Sequence, residues 1–471
     1  MSWPAAVLWV LIIAMAFARG PGLLYLLMIS SVFGTLQMLP GGGGTTLLPQ
    51  TACGLVFVGK VAIQRGNVLR GIEVALDPRR LALFSAFLAY GVFGAFVLPR
   101  MFAGLFEVMP VSSAYFGADI LKPAAGNITQ SCYMILSFAV ALSFAVIGQS
   151  EVTRDHYRRA LLYAAYALVC TGFLDLVCYT LGLGALLEPF RTATYSLLID
   201  VEAEGVKRVV GLMPEASTYG TACVSMLAAL TFMRPLYRAG RERLLVLGAM
   251  GLLALMAMLS TSSTAIVGIG LFGLVYGLDL LVRLVNPRNP RRGQLNIEIL
   301  IIFLALVGMF VAFVLKPNLF DPVLSMVDSL VLQKTNTASY AERSSWNRIG
   351  WQAFIDSGGL GAGLGSIRTS NWGISILGST GVLGAVLMFG FITQHLVAVP
   401  GRVPQHVLTF TTALKLALLP SLAMSLLSAT MPDIGIAAAS VLGLLAAAHA
   451  PAGARVPRQG PASPEPARAL A

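Results

Sequence analysis

Charged residues are scarce in this chain. Lys, Arg, Asp and Glu make up only 11% of its 471 residues, whereas 57% are hydrophobic. Soluble domains carry about 25% charged residues, so the composition excludes an ordinary soluble protein and indicates a polytopic membrane protein. The formal net charge of +11 is then a signal of membrane topology, and we do not interpret it as nucleic-acid binding.

Cysteine is also too sparse, and too dispersed, to form a recognisable site. All five cysteines fall inside apolar segments, where the residue is typical of a protein core. Their spacing fits neither a disulfide framework nor a zinc site. The cysteine pattern therefore gives no indication of a metal site.

Long apolar runs, by contrast, recur along the whole chain. Because a transmembrane helix needs about 20 mainly apolar residues, we predict an all-α, polytopic transmembrane helical bundle of about 12–13 spans. Amphipathic helices are expected in two or three of its external loops. The predicted spans are 3–18, 22–39, 47–63, 81–98, 131–149, 161–184, 215–233, 244–260, 262–282, 297–315, 371–398, 408–428 and 433–449.

Arginine is distributed unevenly between the predicted loops. Four alternate loops hold 15 arginines, namely 64–80, 150–160, 234–243 and 283–296. Basic loops remain in the cytoplasm, which places loops 99–130, 185–214 and 316–370 outside. Residues 1–450 are predicted to form one integral-membrane domain. Residues 451–471, rich in Pro, Ala and Arg, are predicted to be a disordered cytoplasmic tail.

The first external segment of interest ends in Arg208-Val-Val-Gly-Leu-Met-Pro-Glu-Ala-Ser-Thr-Tyr-Gly220. Apolar and charged residues alternate in Glu188–Arg208, which favours an amphipathic helix on the membrane surface. Pro214 and Glu215 suit the first turn of the next span. A carboxylate at the mouth of a partly dry cavity could instead serve as a general base. The sequence leaves both interpretations of Glu215 open.

A second external segment, 336–371, carries Arg343, Arg348 and Arg368 beside a glycine-rich run at Gly358–Gly365. Guanidinium groups bind phosphates through paired hydrogen bonds and keep their charge. Closely spaced glycines let backbone amides approach an anion. The plainer alternative is a tight turn whose arginines are solvated or touch lipid headgroups.

Asp175 and Glu342 are candidate accessory residues, and a hydroxyl-rich hairpin is a further candidate. Asp175 falls in the outer half of its span without a basic residue at helical spacing. It could face an external cavity, or bond to a Tyr or Thr hydroxyl of a neighbouring helix. Glu342 is a lesser candidate for a base. The hydroxyl-rich hairpin Leu259–Ala265 could bind sugar, or could simply satisfy exposed helix ends.

Taken in order, these elements resemble the bacterial O-antigen polymerase and ligase superfamily over roughly residues 130–400. The resemblance rests on Arg-x-x-Gly-x-x-x-Glu-x-Ser-x-x-Gly at Arg208–Gly220, the hydroxyl-rich hairpin at Ser260–Thr264, Glu-Arg-Ser at Glu342–Ser344, Leu-Gly-x-Gly-Leu-Gly at Leu360–Gly365, and Gly-x-x-Gly at Gly381–Gly384.

This resemblance implies a membrane glycosyltransferase of the bacterial inner membrane that needs no metal or other cofactor, with its site facing the periplasm. Its substrates would be undecaprenyl-diphosphate-linked oligosaccharides, held among membrane lipids, with a chain-length regulator and a flippase as candidate partners. Arg208, Arg343, Arg348 and Arg368 would bind the pyrophosphate, and Glu215 would be the catalytic base.

Histidine separates the two branches of the superfamily. Its ligases use a histidine in the late external loop, whereas His156, His395, His406 and His449 are all predicted at or near the cytoplasmic side here. A polymerase is therefore favoured over a ligase. A flippase or exporter of lipid-linked sugars is a further alternative, although it should carry basic residues through the membrane depth.

Overall fold

The computed structural model describes residues 1–39, 46–111, 117–195, 197–199, 202–203, 206–286, 289–316, 338–399, 401 and 403–449. Its helices are α1 (Trp3–Phe17), α2 (Gly22–Ile29), α3 (Pro49–Ala62), α4 (Asn67–Leu76), α5 (Ala82–Met101), α6 (Ala125–Ile147), α7 (Glu151–Thr180), α8 (Ala216–Met233), α9 (Arg241–Leu259), α10 (Ser263–Val285), α11 (Leu295–Leu315), α12 (Ala338–Asp356), α13 (Trp372–Val397), α14 (Gln405–Ser428) and α15 (Gly435–Ala447). Two antiparallel hairpins pair β1 (Glu107–Val108) with β2 (Asp119–Ile120) and β3 (Glu202–Ala203) with β4 (Val206–Lys207).

Nine of the described helices are long and apolar enough to cross a membrane, namely α5 to α11, α13 and α14. Every predicted span overlaps a helix, so the prediction of an all-α polytopic membrane protein is confirmed. Helices α1, α3 and α15 have only 15, 14 and 13 residues, and a full span needs roughly 20. The predicted tail 451–471 and part of loop 316–370 lie outside the described residues.

The second predicted span, 22–39, is wrong in length, because α2 ends at Ile29 and a single 3-10 turn follows it. The hydroxyls of Ser30 and Ser31 donate back to the helix carbonyls of Leu27 and Met28 (3.0 and 2.7 Å), a bond that competes with helix continuation. Beyond the turn, the Thr35 N–H donates to Leu212 O (3.1 Å). Tertiary hydrogen bonds therefore replace the helical ladder there.

The predicted amphipathic helix at Glu188–Arg208 is also wrong for the residues that the structure describes. The segment starts with a 3-10 turn at Glu188–Phe190 and ends in the β3–β4 hairpin. Between them, the Leu198 N–H donates to Pro214 O (2.9 Å). Contacts with the chain beyond it thus override the local alternation of apolar and charged residues.

Helix α8 lies at the centre of the bundle, where it packs against α7, α9, α10 and α14. In other pairs of helices, small residues allow the two backbones to approach closely, as is common in membranes. A Cβ atom added to Gly443 of α15 would lie 2.2 Å from Ala141 O of α6. The start of α8, which carries Glu215 as its N-cap residue, is therefore fixed by the packing of the surrounding helices.

Candidate functional site

Glu215 and Arg343 meet at the start of α8, although they are far apart in sequence. Arg343 Nη2 lies 3.6 Å from Glu215 Oε2, with side chains that are 25% and 32% exposed. The Ser217 hydroxyl donates to the other carboxylate oxygen, Oε1. The two predicted external segments therefore converge, and the carboxylate remains partly open to solvent.

Arg208 belongs to the same cluster. Burial lowers the pKa of its guanidinium, while the charge of Glu215 raises that pKa and the charge of Arg343 lowers it. Both charges act on Arg208 because they lie close to it. Its Nε atom is shielded from solvent and has no hydrogen-bond partner among the described residues.

Arg368 approaches from the loop between α12 and α13. Its Cζ atom lies 4.1 Å from the ring centroid of Trp346, a cation–π contact that orients the guanidinium. Its backbone N–H donates to Met109 O (2.7 Å). Burial lowers the pKa of Arg368, whereas Glu342 and Glu215 raise it. Arg368 is therefore the third guanidinium within electrostatic reach of Glu215.

Arg348 does not join this cluster. It is exposed on α12, and none of the described residues forms a hydrogen bond or ion pair with it. It lies five positions after Arg343 on the helix, which turns the two side chains about 140° apart. Glu342 is also exposed, so it acts on Arg368 as a solvated charge at the edge of the cluster.

Asp175 lies among buried cations and backbone N–H groups, an environment that the sequence did not predict. Its buried carboxylate pairs with Arg191 through Oδ1 (2.8 Å) and with Lys207, also through Oδ1 (3.4 Å). Its Oδ2 accepts the backbone N–H groups of Val210 (2.9 Å) and Gly211 (3.1 Å). With both oxygens engaged, Asp175 holds the segment that contains Arg208 and is poorly placed to act as a base.

Sequence reasoning missed the partners of Asp175. Arg191 and Lys207 come from the following loop, so helical spacing could not reveal them. A signal was nonetheless present, because a carboxylate inside an apolar span requires a partner and these cations follow beyond the C-terminal end of that span.

The glycine-rich run serves close packing. Gly361, Gly363 and Gly365 all have positive φ, and a Cβ atom added to Gly365 would lie 2.1 Å from Gly126 O. The N–H of Gly361 donates to Ser357 Oγ (2.8 Å) and that of Gly363 to Ser379 O (2.9 Å). These amides are engaged within the protein, which supports the tight-turn interpretation over anion binding.

The hydroxyl-rich hairpin between α9 and α10 borders the Arg208 segment, because the Val209 N–H donates to Leu259 O (3.2 Å). Ser260 and Ser262 are buried. Ser260 Oγ donates to Ala257 O (2.7 Å), and Ser262 Oγ caps α10 by accepting from Ala265 N (3.5 Å). Both serines satisfy helix ends, as the plainer interpretation predicts.

The cluster thus combines three guanidinium groups (Arg208, Arg343, Arg368) with one carboxylate–hydroxyl pair (Glu215, Ser217). Such a site can bind a polyanion and accept a proton beside it. Among the described residues, no group of three or more His, Cys, Asp or Glu side chains could hold a metal ion. A scan against protein-family models found no match to this chain, and neither did a search of curated proteins.

Proposed function

We propose that this protein is a membrane glycosyltransferase that polymerises undecaprenyl-diphosphate-linked oligosaccharide repeat units at the outer face of the bacterial inner membrane. Its product would be an exopolysaccharide, an O-antigen or a capsule. The observation that carries the proposal is the convergence of Arg208, Arg343 and Arg368 on Glu215. The order of sequence elements that resembles the O-antigen polymerase and ligase superfamily supports it independently.

In the proposed reaction, the three arginines bind the diphosphate of the donor lipid. A hydroxyl of the acceptor sugar attacks the anomeric carbon of the donor, and Glu215 takes the hydroxyl proton directly or through Ser217. The bond between that carbon and the diphosphate oxygen breaks as the new glycosidic bond forms. The leaving diphosphate gains negative charge, which fixed guanidinium groups stabilise.

The pairing of Glu215 with Arg343 is consistent with this scheme. At 3.6 Å the contact is longer than a charge-assisted hydrogen bond of about 2.7–2.9 Å, and both side chains are partly exposed. A bound diphosphate would compete for Arg343 and so release the carboxylate. Arg208 and Arg368 are half-buried. Each would therefore attract the diphosphate more strongly than a fully solvated cation would.

The test is Glu215→Gln in a strain that lacks the chromosomal gene. Gln keeps the shape of the side chain but cannot accept the proton as a carboxylate does. We expect long-chain polymer to disappear while single lipid-linked repeat units still reach the outer face. Glu188→Gln is the matched control, because Glu188 is exposed in the same predicted external loop.

Two outcomes would reject the polymerase proposal. Accumulation of repeat units on the cytoplasmic side would favour an exporter of lipid-linked oligosaccharides. Normal polymer that fails to reach the lipid A acceptor would favour a ligase.

A further inference from the structure

Thr261, at the tip of the hairpin between α9 and α10, has an unusual backbone conformation. Its φ of +44° makes it the one residue other than glycine with positive φ in the described part of the chain. A β-branched side chain is strongly disfavoured in this left-handed region. Such strain persists only where surrounding contacts enforce it, and it concentrates at functional sites.

Two contacts of the neighbouring residues place the hairpin tip beside the candidate site. Leu259, two residues before Thr261, accepts the N–H of Val209 (3.2 Å). Ser260 packs so closely on α8 that a Cβ atom added to Gly220 would lie 2.5 Å from its Oγ. The hairpin tip is therefore held between the Arg208 segment and the first turns of α8, where Glu215 lies.

The hydroxyl of Thr261 differs from those of its neighbours. Ser260 and Ser262 use their hydroxyls to satisfy helix ends, whereas Thr261 Oγ1 is shielded from solvent and has no partner among the described residues. Arg208 Nε, on the neighbouring segment, is likewise shielded from solvent and has no partner among the described residues. Buried polar groups almost always have a partner. Because the Val209–Leu259 hydrogen bond joins the two segments, these two donors could share one acceptor that binds between them.

We infer that Thr261 is a substrate-binding residue whose hydroxyl donates, together with Arg208, to a diphosphate oxygen of the lipid-linked donor. The inference rests on the proposed function and adds a specific contact to it. The strained backbone directs the hydroxyl toward the substrate, whereas Ser260 and Ser262 on either side serve the fold.

The experiment compares Thr261→Val and Thr261→Ser in the full-length protein, purified in lipid nanodiscs. Val keeps the branched shape and removes only the hydroxyl, while Ser keeps the hydroxyl. Undecaprenyl diphosphate and undecaprenyl monophosphate are the binding probes. A hydrogen bond to a charged group corresponds to about a 10- to 100-fold effect. We therefore expect Val to weaken diphosphate binding by at least about tenfold, and Ser to bind like the unchanged protein.

Thr261→Gly separates the role of the hydroxyl from that of the backbone, because glycine adopts positive φ without strain. We expect this variant to be at least as heat-stable as the unchanged protein and still to bind the diphosphate weakly. Normal diphosphate binding by both Val and Gly, alongside weak binding by Arg208→Ala, would overturn the role of Thr261 alone. Equal binding of diphosphate and monophosphate by the unchanged protein would overturn this inference and the proposed function together.

Discussion

Replacement of Asp175 by Asn tests how the Arg208 segment is held. Asn has nearly the same shape as Asp, yet its amide nitrogen donates hydrogen bonds instead of accepting them. Both oxygens of Asp175 receive donors: Arg191 and Lys207 at Oδ1, and two backbone N–H groups at Oδ2. In either orientation the Asn side chain would point its NH₂ group at other donors.

The expected cost follows from the burial of the cations. The side chains of Arg191 and Lys207 are only 5% and 4% exposed, and removing one partner of a buried ion pair costs about 3–5 kcal/mol. Lys207 keeps another contact, since its Nζ lies 4.6 Å from the ring centroid of Tyr179. We therefore expect a loss near the lower limit, about 3 kcal/mol.

Unfolding by SDS in mixed micelles measures this loss of stability. Limited proteolysis shows whether loop 185–214 is the part of the chain that becomes more accessible. Asp119→Asn is the matched control, because Asp119 forms an exposed ion pair with Lys122 (2.7 Å), and exposed pairs contribute little. If Asp175→Asn left both the unfolding free energy and the protease sensitivity unchanged, Asp175 would not be the residue that holds Arg208.

Two remaining predictions concern the second external segment. Arg343→Ala should slow polymer formation by about 10- to 100-fold, whereas Arg348→Ala on the same helix should leave it nearly unchanged; equal rates for the two variants, measured by gel analysis of polymer, would contradict the assignment of Arg343 to the site. Gly365→Ala should lower the free energy of unfolding by more than Gly358→Ala. Both glycines have positive φ (+78° and +62°), so alanine at either position costs about 1–2 kcal/mol of backbone strain. Only at Gly365 would the added Cβ atom also overlap a neighbour, Gly126 O at 2.1 Å, which adds a further cost of about 1–3 kcal/mol. Equal losses in SDS unfolding would show that the glycine run is not packed as described.

The positions of the helices could be predicted because apolar runs of membrane length have few alternatives to a helix. Local patterns gave the wrong result at 22–39, which was predicted from an apolar run, and at Glu188–Arg208, which was predicted from mixed apolar and charged residues. Thr35 and Leu198 form hydrogen bonds there with chain beyond residue 210, and no local pattern contains such contacts. Helix length and loop structure were therefore decided by tertiary partners.

The site was partly predictable from residue chemistry. Arginines in two predicted external loops indicated an anion site, and the structure brings Arg208, Arg343 and Arg368 to Glu215. It leaves Arg348 exposed on α12, because membership of the cluster depends on the orientation of that helix. The sequence could identify groups that are able to bind a phosphate but could not show which of them lie together.

The division of the site between two distant loops bears on biogenesis. Arg208 and Glu215 enter the membrane with the first half of the chain, whereas Arg343 and Arg368 are synthesised only after α11. A nascent chain that has not yet produced α12 holds the carboxylate and one of the three clustered arginines. The complete cluster of three arginines around Glu215, and with it the complementarity to the proposed diphosphate, therefore arises late in translation, when most of the surrounding helices have already been made.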